Sequence, residues 1–306
     1  MSAAGGQGGG SREPRLGIGL AVHQGERFLK AAVESLLAQD YADFELVISD
    51  NGSTDRTEEI CRDLAARDPR IRYHRSSVNR GAAWNYNNVF RLSRGEYFKW
   101  TAHDDLYRPS FLSRCVRLLD ERPDVALCYT TAIDIDEHGQ VLTEFPPHPY
   151  ADQEAVPDRV ASLLRNPSPC FETFGVMRRS LLARTRLIGP YTSSDRTLLL
   201  EMAMQGKFHE IPEPLLLHRQ HPGRSMRKYR DPRERNAWFD PSRAGRLTLP
   251  RWRLLTEYVR SIARAPVGGP DKRRSFAHLS RWMVASAPTL GRDVASALLS
   301  LSSSPR

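Results

Sequence analysis

Asp104 and Asp105 are adjacent carboxylates that follow directly on the apolar run Tyr97–Thr101. Two carboxylates on one loop repel each other unless a cation lies between or beside them. A divalent ion bridging a diphosphate meets that need; so, more plainly, does solvent around two loop aspartates that cap a helix opened by Pro109. A second polar cluster, Asp50-Asn51-Gly52-Ser53, also ends an apolar run. Gly52 lets the chain turn and Asp55 can begin the next helix, although ordinary turns use the same residue types. Asp195 stands ahead of Leu198, Leu199, Leu200, Met202 and Ala203, an apolar helix that would hold its carboxylate rigidly at the N-terminal end, where aspartate is also a good cap. His218-Arg219-Gln220-His221 follows the strand-like residues 214–217. An HxxH pair alone is weak evidence for metal, and the HExxH of metalloproteases is absent. Arg219 can pair with phosphate oxygens.

These residues need elements to position them. Leu16–Val22 is apolar and of strand length, and residues 25–38 carry apolar side chains at helical spacing. The alternation continues with strands at 44–49, 71–74, Tyr97–Thr101 and 125–131. Helices are expected at 54–67, capped by Thr54 or Asp55, at 81–92 and at 109–120 with proline in the first turn. This order predicts an α/β domain with a mainly parallel central sheet. Ligands of such sheets sit at the carboxyl ends of the strands, where both polar clusters fall. Gly17-Ile18-Gly19 is no dinucleotide fingerprint, because the glycines lie inside the strand and Val22 occupies the place of the third. No GxxxxGK[ST] loop is present either. Acidic strand ends without a glycine loop suit phosphates held through a metal ion.

The ordered set of motifs resembles the inverting family-2 glycosyltransferases of GT-A fold, over about residues 14–225. It runs through Phe28-Leu29, Ser35-Leu36-Leu37-Ala38-Gln39 and 44–55. Asn79-Arg80-Gly81, Asn87 and Arg94-Gly95-Glu96-Tyr97 follow, then Asp104-Asp105, Ser194-Asp195 and His218–His221. The resemblance implies a nucleoside base at Asp50 or Asn51, with Asn79 and Arg80 contacting base or phosphate or entering a helix. It implies an Asp-x-Asp element at Asp104 and Asp105, binding Mn2+ or Mg2+ and the donor, and a late metal or diphosphate ligand at His221. Asp195 stands where the family has its general base. Ala102 and His103 depart from the fuller aspartate pattern, which leaves open which carboxylate holds metal and which ribose; Ser194 stands where glutamate is frequent.

The 306 residues, 40% of them hydrophobic, can bury one large core or two modest ones. No apolar run approaches the roughly 20 residues of a membrane span, residues 1–11 have no leader-like apolar stretch, and four dispersed cysteines suit a reducing, cytoplasmic setting. The net charge of +9 is nearly all arginine, a bias that a GC-rich genome produces unaided, but residues 219–306 alone hold +13. Three segments are expected: an unordered tail at 1–13, a catalytic domain at 14–225 and a basic helical extension at 226–306, with a loop at 224–235. Residues 251–264 and the weaker pattern around Phe276–Met283 read as amphipathic helices. They suit an anionic membrane face or packing on the catalytic domain or a second copy; no motif accompanies the charge that would read nucleic acid. The expected activity is transfer of a sugar from a nucleotide diphosphate to a hydroxyl of a glycan, glycolipid or small molecule. The rivals are a nucleotidyltransferase, which lacks its glycine- and lysine-rich phosphate signature here, and a non-catalytic scaffold, against which Asp105, Asp195 and His221 speak.

Overall fold

The structure, a computed structural model, describes residues 13–165 and 169–302; residues 1–12 of the expected unordered tail lie outside it. The alternation opens with β1 (Leu16–Val22), α1 (Leu29–Leu37), β2 (Phe44–Asp50), α2 (Thr57–Arg67), β3 (Ile71–Arg75), α3 (Ala82–Leu92) and β4 (Tyr97–Thr101). It continues with β5 (Leu106–Tyr107), α4 (Phe111–Glu121), β6 (Val125–Ile135), β7 (Val141–Glu144), α5 (Val156–Arg165), β8 (Val176–Arg178), α6 (Arg179–Leu182), α7 (Ser194–Ala203) and β9 (Lys207–Arg219). The chain ends in α8 (Ser225–Lys228), α9 (Pro232–Phe239), α10 (Pro250–Arg264), α11 (Gly269–Ala285) and α12 (Ala287–Ser302). Several helices begin later than the sequence suggests, because their polar starts make turns instead. Asp55 Oδ1 accepts from Thr57 N at 3.1 Å while Thr54 Oγ1 accepts from Gln24 Nε2, so α2 starts at Thr57. The loop expected at 224–235 folds instead as α8 and the start of α9, the latter capped by the Asp231 carboxylate with Pro232 in its first turn.

The sheet runs β3-β2-β1-β4-β8-β6-β9-β5, with β7 beside β6. The first four strands are parallel, as is β6 with β9. The other pairings are antiparallel, so the α/β sheet is mixed. One face of β1 sends Leu16, Ile18, Leu20 and Val22 into a core shared with α1, α2 and α4. The other face carries Gly17 and Gly19, and a Cβ on Gly19 would lie 2.6 Å from Val89 Cγ2 of α3. The glycines thus serve close packing, Gly19 against Val89 and Phe98 and Gly17 against Ser93 and the Arg94 carbonyl. A third cluster joins α5 and α7 to α10, α11 and α12 through Val160, Leu200, Leu255, Tyr258, Ile262, Leu279 and Leu290. Among the described residues no helix is long and apolar enough to cross a membrane.

Candidate active site

The carboxyl ends of β1, β2 and β4 open into a cavity of about 420 Å³. At its β2 edge the chain turns through Gly52, and the Asn51 side chain organises the opposite loop. Its Nδ2 donates to Asn79 Oδ1 at 2.9 Å and to Gly81 O at 3.1 Å, and its Oδ1 accepts from Arg80 N at 2.9 Å. Asn51 and Asn79 line the cavity. Asp50 lies beneath them, fully buried, with Ser53 N, Tyr73 Oη and Arg75 Nε on its carboxylate. Its oxygens therefore hold the turn, and Asn51 is the residue that meets the cavity. The Arg80 guanidinium lies 4.3 Å from the Trp84 ring centroid, outside the cavity lining.

At the β4 edge, Asp104 and Asp105 are held by the short strand β5, whose Leu106 and Tyr107 pair with Leu217 and Leu216 of β9. That pairing brings the end of β9 against the two carboxylates. Arg219 N donates to Asp105 Oδ1, and Arg219 Nε donates to Asp104 O, each at 2.9 Å. Its Nη1 binds the carbonyls of Asp136 and Glu137. Buried, Arg219 is a clamp beneath the site, its Nε and Nη1 turned to main-chain carbonyls where phosphate oxygens were expected. His221 Nε2 lies 2.9 Å from Asp104 Oδ2. Burial and the neighbouring Asp104 charge push the Asp105 carboxyl up to about 8. Asp104 is held below the usual range, the charge of His103 and the His221 hydrogen bond outweighing burial.

Two acidic groups so close, one unable to ionise freely, suit a hard divalent cation. Among the described residues no three His, Cys, Asp or Glu donors converge on one point. A Mg2+-like ion needs only one or two protein ligands when phosphate oxygens complete its shell. Asp104 Oδ2 and His221 Nε2, hydrogen-bonded to each other at 2.9 Å, both belong to side chains that line the cavity, an oxygen and a nitrogen donor that Mn2+ or Mg2+ could share with phosphate oxygens. These residues therefore fit the ion.

The cavity also contains residues that sequence reasoning missed. Asn85 of α3 donates through Nδ2 to Val22 O and Ser49 O, leaving its buried Oδ1 unpaired at the cavity wall. Arg224 lines the cavity and is held from behind: Asp134 Oδ1 lies 2.7 Å from His218 Nδ1, and Arg224 Nη2 contacts His218 Nε2. Burial and the Arg224 charge keep the His218 pKa below its ordinary value, so the neutral ring can accept from Arg224. Lys228, Tyr229 and Trp238, from the segment read as extension, complete the wall; Tyr229 and Trp238 stack with centroids 6.1 Å apart. The signal for Arg224 was its place three residues after His221, and for Trp238 there was none. Asp195 sits in the first turn of α7, its Oδ1 accepting from Arg196 N at 2.8 Å. It is outside the cavity lining, though its charge acts on Tyr86, which is in that lining.

A mixed sheet with this cavity at its parallel strand ends defines a protein of GT-A glycosyltransferase fold. The S. aureus protein TarS bound to UDP-GlcNAc superposes with a TM-score of 0.67 at 14% identity, covering 89% of this chain and 73% of TarS. The Pyrobaculum calidifontis mannosyltransferase PcManGT, bound to GDP-Man and Mn2+, gives 0.56 at 18% identity, covering 97% and 77%. The chain belongs to glycosyl transferase family 2, whose model matches residues 18–185, more than half of its length. An uncharacterized glycosyltransferase of Methanocaldococcus jannaschii is 28% identical over 144 residues, 46% of this chain and 50% of that protein. The chain spans half or less of the length of the first curated relatives it matches.

Proposed function

We propose that the protein is a metal-dependent inverting glycosyltransferase that takes a nucleoside diphosphate sugar as donor and a hydroxyl of a glycan, glycolipid or small molecule as acceptor. The observation that carries the reading is one cavity lined both by the Asn51–Asn79 pair, suited to a base, and by Asp104, Asp105, His221, Arg224 and Lys228, suited to a diphosphate. The donors named for TarS and PcManGT, UDP-GlcNAc and GDP-Man, support the donor class. When bound, a Mn2+ or Mg2+ ion held by Asp104 and His221 supplies positive charge to the departing diphosphate. Arg224, seated by His218, and Lys228 contribute donors to the same phosphate oxygens. Asp195 takes the acceptor's hydroxyl proton as that oxygen bonds to the anomeric carbon; the bond to the diphosphate breaks on the opposite face, its electron pair leaving with the phosphate. The anomeric configuration inverts.

We assign 14–225 to catalysis and 226–306 to an extension that also walls the donor cavity. In the extension Met283, Val284 and Leu298 are exposed, as are Arg281 and Arg292. This composition suits contact with an anionic, cytoplasmic membrane face or a second copy. Vesicles containing phosphatidylglycerol should retain the wild type and release Val284→Glu/Leu298→Glu; self-association in the absence of lipid, lost in the same variant, would favour the second copy. The activity is tested by incubating UDP-, GDP- and dTDP-sugars with Mn2+ and following release of the nucleoside diphosphate. Turnover of one member, with inverted product seen by NMR, is expected. A panel that is neither bound nor hydrolysed would overturn the reading.

A further inference from the structure

A second cavity, of about 410 Å³ and open to solvent, lies between residues 186–191 and one face of α10. Its lining carries four guanidinium groups, those of Arg186, Arg253, Arg260 and Arg264, against one carboxylate, Glu257. Glu257 is 1% exposed and already satisfied by Arg186 and by Arg253 and Arg260 at 2.9 and 2.8 Å. Arg186 is further bound to Glu201 at 2.6 Å. Arg253 keeps a buried Nε without a partner, and Arg264 has no ion pair among the described residues. Four guanidinium groups thus share two carboxylates, Glu257 and Glu201, and the two positive charges left over repel one another unless an anion joins them. Planar guanidinium groups are suited to carboxylate or phosphate oxygens.

The groove is also tied to the catalytic elements. Asn87 of α3 exchanges two hydrogen bonds with the Ile188 main chain, at 2.9 and 3.0 Å, while its neighbour Tyr86 lines the donor cavity. Tyr191, under the Arg253 guanidinium at 5.1 Å, is four residues before Asp195. We infer that this groove is an acceptor subsite that binds a carboxylate or phosphate group carried by the acceptor saccharide. The assignment to the acceptor rests on the proposed transferase reading; the binding of an anion does not.

The test is calorimetric titration of the full chain, without donor, with inorganic phosphate, a uronic-acid tetrasaccharide and a neutral tetrasaccharide. The wild type should bind at least one of the first two and not the third; which one binds identifies phosphate or carboxylate as the source. Arg264→Gln leaves every ion pair of the groove in place, so an unchanged melting temperature with about tenfold weaker anion binding is expected. Arg260→Gln/Arg264→Gln should abolish binding while nucleotide binding at the donor cavity is retained. Failure of the wild type to bind either anion, equal binding of the neutral sugar, or undiminished binding in the double variant would overturn the proposal. Anion binding with a silent donor panel would instead keep the site and remove the transferase reading.

Discussion

Asp195 and Arg224 stand at opposite ends of the proposed chemistry. Replacing Asp195 with Asn removes the proton acceptor but keeps a hydrogen-bonding side chain in the first turn of α7. Transfer should fall by about 100-fold to 10,000-fold with donor affinity unchanged; lost affinity in a calorimetric titration would mark a structural role. Arg224 depends on a neutral His218, whose pKa is lowered by burial and by Arg224 itself. Because the folded ring binds protons less readily than the unfolded one, its contribution is fully present above about pH 6.5 and is lost as pH falls through the folded value. Donor affinity should drop on that acid limb, and Arg224→Met should weaken affinity roughly tenfold and remove this component of the pH dependence. Residue types disclosed the clusters but not the division of work inside them. Asp50 and Asn51 are equally good turn residues, and only the Ser53, Tyr73 and Arg75 contacts assign Asp50 to the turn and Asn51 to the cavity. Arg219 likewise precedes Arg224 in sequence, and β-strand pairing pins Arg219 beneath the cavity while Arg224 lines it.

Among the elements, those buried on both faces were the most legible. β1 is a continuous apolar run and β2 and β4 are largely apolar, with every residue of the three buried, which is what a central strand demands. β5 and β8 are two and three residues long and β7 is fully exposed, so each lacks the pattern by which strands are read; β9 is interrupted by Pro212 and Pro214, and only its 214–217 stretch reads as a strand. β4 contains an exception that yields a prediction. Lys99 is fully buried, with Nζ 3.9 Å from the Tyr107 ring centroid, and burial lowers its pKa to about 7. The unfolded chain binds that proton up to about pH 10.5, so stability rises with pH between the two values. Lys99→Met should therefore stabilise the protein by roughly 2–4 kcal/mol at and below neutral pH, the difference from wild type fading toward pH 10.5 in denaturant titrations. α9 is seated by Gly81, whose φ is +88° and whose added Cβ would lie 2.5 Å from Phe239 O. Gly81→Ala should cost roughly 1–3 kcal/mol and shift Trp238 emission as α9 leaves the cavity wall; an unmoved spectrum would contradict this docking.

The whole molecule joins a strand-end cavity that holds Asp104 and Asp105 to an arginine-rich C-terminal part, which packs on the sheet domain chiefly where α10 meets α7. Leu200 and Met204 of the α7 region pack on Leu255, Tyr258 and Ile262, and Arg186, Glu201, Glu257 and Ser261 join the same elements by ion pairs and hydrogen bonds. Deleting residues beyond 248 would expose that apolar cluster, so the truncated chain should aggregate on expression; a soluble truncation of undiminished melting temperature would contradict the packing. Nothing in the amphipathic pattern of 251–264 distinguished an inner partner from a membrane, because both present the same apolar stripe. The central claim, a metal-assisted nucleotide-sugar site built on Asp104, is most directly tested by calorimetric titration of the full chain with UDP-, GDP- and dTDP-sugars, with and without Mn2+. One donor should bind in the presence of Mn2+, removing the ion should weaken it, and Asp104→Asn should abolish the metal dependence. Binding that is indifferent both to Mn2+ and to Asp104, or absent across the panel, would contradict it.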